Sequence, residues 1–185
     1  MSFYGKYYYQ DGLVLPVGKE IEEVSGEASF YEVIRTFSGT PLFFEDHITR
    51  LKEGIATRYP VPAQLEDYIR SGIRALCESE HFNEINIRVL VTFRGNDFSV
   101  QICYLHSSYP SEKDFIEGVN LILYNAERKD PGVKLLNTSM RSSVNEELKR
   151  RNAFEALLVN REGYITEGSR SNVFFITDDA VVFTA

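Results

Sequence analysis

The sequence predicts an α+β protein in two sub-domains: an N-terminal antiparallel sheet with two helices, then an incomplete β-rich C-terminal part with one helix. Three observations carry this expectation. Strand-like runs are set apart from helix-like ones instead of alternating with them. The apolar period changes from helical to alternating near residue 84. A polar stretch rich in Ser, Pro and Lys, "SSYPSEKDFIEG", divides the chain. The expected organisation is residues 1–106, a linker over 107–118, and residues 119–185.

The elements follow in order. "GLVLPV" and "SFYEVIRTF" are β-rich, and Ser38-Gly39 before "TPLFF" signals a hairpin. "EDHITRLKEGIATRY" gathers Ile48, Leu51 and Ile55 on one helical face. After "PVP", the stretch "AQLEDYIRSGIRALCESE" does the same with Leu65, Ile69, Ile73 and Leu76. "EINIRVLVTF" then alternates, and "FSVQICYL" returns after Gly95-Asn96-Asp97, an antiparallel pair with one buried face. Beyond the linker, "VNLILYN" reads as a strand and "TSMRSSVNEELKRRN" as a helix through Met140, Val144 and Leu148. "EALLVN", "GYIT", "NVFFI" and "AVVFT" read as strands joined by tight turns.

With 185 residues and 43% apolar content the chain can bury a core. Its net charge of −7 is spread along the chain, and the basic residues are interleaved with acids, so no basic face for nucleic acid is expected. Cys77 and Cys103 match no metal spacing and read as buried reduced thiols. No apolar run suits a secretory signal or a membrane span, so a cytoplasmic protein without membrane contact is expected.

Several residues could carry chemistry. Lys134 sits among Val133, Leu135 and Leu136. The pattern alone favours a solvated lysine at a helix start; the sharper reading is a partly desolvated amine able to attack a carbonyl. Glu167 opens the turn "EGSRSN", where Gly168 allows close backbone approach and Ser169, Ser171 and Asn172 offer hydroxyl and amide contacts. Arg50 lies on a predicted helix, either paired with Asp46 at the surface or free to grip a phosphate with its planar fork. Tyr31 and Arg35 fall on one face of their strand.

Taken together, "FYEVIRTFSGTPLFFEDHITRL", "VKLLN" and "YITEGSRSNVFFI", in that order, resemble the fold-type IV pyridoxal-phosphate enzymes. These comprise branched-chain aminotransferases, D-amino acid aminotransferases and 4-amino-4-deoxychorismate lyases. The resemblance covers roughly residues 5–185 and reverses the pattern-based reading of Lys134. It implies that Lys134 is the Schiff-base lysine, that Glu167 holds the pyridine nitrogen, and that Arg50, within His47 to Leu51, binds phosphate. Gly168, Ser169 and Asn172 join the cofactor set. Tyr31, Arg35, Arg88 and Arg170 are placed with the substrate.

The pattern departs from the family in places. "GEASFYE" stands where a Gly-Asp-Gly turn is usual, and "FRGNDFS" lacks the Arg-x-His carboxylate trap of the D-amino acid enzymes, which points to an L substrate or to one that is not an ordinary α-amino acid. Family members continue beyond the position of Ala185, so a truncated chain is expected. The implied function is transamination of an amino acid with a keto acid, of branched-chain type, by a homodimer carrying pyridoxal 5'-phosphate. The lyase and a non-catalytic dimerising remnant are the alternatives.

Overall fold

The alternation of Ile85, Ile87, Val89, Val91 and Phe93 builds a central strand of the larger sheet in a computed structural model of the chain, which describes residues 3–18, 21–22, 24–106, 109–127 and 138–185. Described residues up to His106 belong to one compact unit, and those from Tyr109 onward to another.

The first unit contains β1 (Phe3–Gln10), β2 (Leu13–Pro16), β3 (Ala28–Phe37), β4 (Thr40–Pro41), α1 (Phe44–Ala56), α2 (Leu65–Ser79), β5 (Glu84–Arg94) and β6 (Asp97–Leu105). Its six strands run in the order β2-β1-β6-β5-β3-β4, every pair antiparallel. One face presents Phe30, Ile34, Ile87, Val89, Val100 and Ile102. Against it α1 buries Ile48, Leu51 and Ile55, and α2 buries Leu65, Ile69, Ile73 and Leu76. The helical period thus meets the strand period in a single apolar layer. Gly72 lets α2 come close to the sheet, since a Cβ there would lie 2.6 Å from the Tyr9 ring.

Two elements escape the sequence reading. The run "FYGKYYYQ" forms β1, although its aromatics do not alternate; Gly5 at φ 88° and a register shift between Tyr4 and Tyr8 interrupt the period. Within the expected linker, "EKDFIE" forms the short helix α3 (Glu112–Glu117). A capping box starts it: Ser111 accepts from the Asp114 N–H, and the Asp114 carboxylate accepts from the Ser111 N–H.

The second unit continues with β7 (Leu121–Asn125), α4 (Thr138–Arg151), β8 (Glu155–Val159), β9 (Ile165–Gly168), β10 (Phe174–Ile176) and β11 (Val182–Thr184). β7 and β8 are parallel, with α4 in the connection that a parallel pair requires. β9 returns antiparallel beside β8 through a turn in which Asn160 Oδ1 accepts from the N–H groups of Glu162 and Tyr164. Val144 and Leu148 of α4 pack on Ala156, with Ile122 and Tyr124 alongside. β10 and β11 form a separate hairpin. Among the described residues no helix is long and apolar enough to cross a membrane.

Candidate functional site

On β3 the inward positions Ala28, Phe30 and Ile34 are apolar, but the same face also carries Glu32, whose side chain is 1% exposed. A bare carboxylate there would be costly. Three donors from one face of α1 offset it. Arg50 Nε donates to Glu32 Oε1 at 2.7 Å and Nη2 to Oε2 at 2.6 Å, a two-pronged pair. His47 Nδ1 lies 2.8 Å from Oε2, so a proton on that nitrogen is donated to the carboxylate. His47 and Arg50 stand three residues apart on α1 and therefore reach the same partner.

Arg50 thus pairs with Glu32 of β3, not with Asp46 on its own helix. The Glu32 carboxylate pushes the guanidinium above its ordinary pKa, against the opposing effect of burial. The Nη1 end of the fork takes no part in these bonds, and the side chain remains 45% exposed. The guanidinium is thus fixed along its Nε–Nη2 edge while still meeting solvent.

Tyr31, Arg35 and Arg88 come together on the opposite face of this sheet. Val33 of β3 pairs with Arg88, and Arg35 with Asn86 of β5, and directly paired side chains share a face. Tyr31 and Arg88 are buried; Arg35 is half-exposed and pairs with Glu84. Arg88 Nη2 donates to Gln101 Oε1 at 3.0 Å, and its guanidinium sits 4.9 Å from the centre of the Phe3 ring. Gln101 Nε2 in turn donates to the Glu22 carbonyl at 2.9 Å. The structure therefore groups the three expected substrate residues of this unit, and separates them from Arg50 by the thickness of the sheet.

In the second unit Glu167 stands on β9 opposite Leu158, half-buried, and Gly168 stands opposite Leu157. The residues after it fold back sharply. The Gly168 N–H donates to the Ser171 carbonyl, and the Ser169 N–H to the Ala156 carbonyl. A Cβ on Gly168 would collide with the Ser171 side chain and come within 2.8 Å of its carbonyl oxygen. The close approach that Gly168 permits is thus to its own turn.

A second buried carboxylate, Glu155, organises that turn. It accepts from the Ser169 hydroxyl at 2.5 Å, the Ser171 hydroxyl at 3.0 Å and the Arg170 N–H at 3.3 Å, besides the Ala156 N–H at 2.8 Å. The Ser169 side chain, expected on the cofactor, therefore faces inward. Arg170, expected on the substrate, folds back to donate to the Phe154 carbonyl, with its Nε 3.8 Å from Glu155. Asn172 is exposed. Lys134 lies outside the described residues.

Sequence reasoning missed the roles of Glu32, His47 and Glu155. A signal existed for each carboxylate. Glu32 occupies an inward step of an alternating strand, and Glu155 is a charged residue opening an otherwise apolar strand.

Residues 29–185 match the family described as amino-transferase class IV. The chain belongs to that family. It is similar to branched-chain-amino-acid aminotransferase-like protein 2 of Arabidopsis thaliana, 22% identical, over 86% of this chain and 31% of that protein. It thus spans about a third of that relative's length. Among solved structures, it resembles the branched-chain amino acid aminotransferase of Escherichia coli with a TM-score of 0.76 at 19% identity, over 97% of this chain and 67% of that one. A hypothetical aminotransferase from Mycobacterium tuberculosis, in its PLP-bound form, gives 0.71 at 18% identity, over 96% and 70%. At these identities the structural likeness shows the fold.

Proposed function

We propose that this chain contributes to a pyridoxal-phosphate-dependent aminotransferase that exchanges an amino group between an amino acid and a keto acid, of branched-chain type. Membership of the class IV family supports the reaction class. The observation that supports the reading at particular residues is Arg50, held by Glu32 along its Nε–Nη2 edge while its side chain stays 45% exposed.

The donor set suits the cofactor chemically. Arg50 matches a phosphate, Glu167 a protonated ring nitrogen, and Lys134 an aldehyde carbon. When bound, the pyridine ring supplies an electron sink for the bonds at the amino acid's α-carbon. The chain's own residues do the rest. Arg50 binds the phosphate. Glu167 accepts a hydrogen bond from the ring N–H and keeps that proton in place. The Lys134 amine takes the proton from the α-carbon and would deliver it to the cofactor's aldehyde-derived carbon. Gly168 and Asn172 supply backbone and amide contacts. Tyr31, Arg35 and Arg88 give one sheet face the donors that a substrate carboxylate needs. The absent Arg-x-His pair favours an L-amino acid, or a substrate that is not an ordinary α-amino acid. The reading extends to a cytoplasmic homodimer.

Borohydride reduction of the pyridoxal-phosphate-treated protein, followed by peptide mapping, tests the assignment. The label should fall on Lys134, and the yellow colour should bleach with L-leucine but not with D-alanine. A label on Lys129 or Lys149, or a colourless protein, would remove the proposal.

A further inference from the structure

By strand alternation Glu155 and Glu167 stand on opposite faces of their sheet. Paired side chains of a sheet share a face and successive ones alternate. Glu167 stands opposite Leu158, on the Ala156 and Leu158 side, whereas Glu155 lies on the other side of β8. Yet the side chain of Glu155 is 8% exposed, and among the described residues its donors from outside its own strand come from residues 169–171, directly after Glu167 and Gly168. A buried carboxylate is seldom retained for stability alone, since a well-packed apolar residue would cost less.

We propose that Glu155 is a positioning residue: from behind the sheet, it fixes the turn 168–171 so that Glu167 is held ready for its partner. Two hydroxyl protons and one backbone N–H are aimed at a single carboxylate, which commits the Ser169 and Ser171 hydroxyls to it. The same anchor draws Arg170 back toward Phe154. The turn is thereby ordered before any ligand arrives, which spares binding the cost of ordering it. This inference rests on the role proposed for Glu167.

Glu155→Gln tests it, because the amide keeps the size but presents an NH2 where two acceptor lone pairs stood. Amide exchange of the cofactor-free chain is expected to quicken tenfold or more at Gly168–Ser171, with β5 and β6 unchanged. In a pyridoxal phosphate titration the variant should bind at least tenfold more weakly, with its visible band shifted toward that of Glu167→Gln. The double variant should be no weaker than Glu167→Gln alone, as residues acting through one another are non-additive. Should Glu155→Gln fail to fold, Ser171→Ala should give a smaller change in the same direction. Unchanged exchange, exchange that quickens throughout the unit, or losses that multiply in the double variant would each overturn the proposal. If the unaltered chain binds no pyridoxal phosphate, the aminotransferase reading falls, and the exchange comparison alone decides whether Glu155 sets the turn.

Discussion

Glu32 and Glu155 are the two buried carboxylates among the described residues, one in each unit, and they are neutralised by different means. Glu32 meets a full positive charge in bidentate contact, with an imidazole beside it. Glu155 meets mainly dipoles: two hydroxyls and two backbone N–H groups, with a guanidinium no nearer than 3.8 Å. Concentrated compensation makes one partner indispensable, whereas distributed compensation shares the load. The first arrangement fixes a side chain, Arg50; the second fixes a stretch of backbone.

Arg50→Ala should therefore do most damage. It leaves Glu32 buried with only His47 among its α1 partners, and breaking a buried pair from one side costs about 3 kcal/mol or more. Chemical denaturation would measure this, and a loss below 1 kcal/mol would show that Glu32 is not the concentrated case. Gly168→Ala comes next, at about 2 kcal/mol, because its Cβ would press on the Ser171 carbonyl. A neutral result in thermal unfolding would mean that the turn can open freely. Ser171→Ala removes one of several donors and should cost only about 1 kcal/mol; a loss equal to that of Arg50→Ala would erase the distinction.

The smallest effect concerns a partly exposed acid, Glu147. Arg150 and Arg151 lower the Glu147 carboxyl from 4.5 to about 2. Because the folded value is depressed, this group adds stability above its ordinary pKa and loses it as pH falls from there toward about 2. Acid titration of Glu147→Gln should remove a shallow part of the slope in that window. A variant that retains the whole slope would assign it elsewhere.

How much of this was legible depended on whether the physics was local. The helices α1 and α2, the β5–β6 hairpin and the β8–β9 turn follow from periods and turn residues within a few positions. The "FYE" strand, the HxxR step and the "EGSRSN" turn were visible in the same way. What joins them was not. Glu32 reaches Arg50 and His47 from another element, and the inward aim of Ser169 and Arg170 depends on Glu155, fourteen or more residues earlier. Periodicity gives the face on which a side chain lies; it does not say which partner waits there.

The parallel pairing of β7 with β8 has a consequence for the order of folding. Leu121 must find Glu155 across the whole connection containing α4, whereas Arg94 meets Asp97 across a tight turn. A loop roughly tenfold longer costs about 2 kcal/mol more to close, so β5–β6 and the neighbouring β8–β9 hairpin should form before β7 arrives. The turn after β9 can then surround Glu155 while water still reaches it. By the time β7 covers the strand, the carboxylate already has its donors, and no step buries it bare. Pulse-labelled amide exchange during refolding should accordingly protect Leu158, whose backbone faces β9, before Ile122 and Tyr124; simultaneous protection would mean that the hairpin and the parallel pair form as one event.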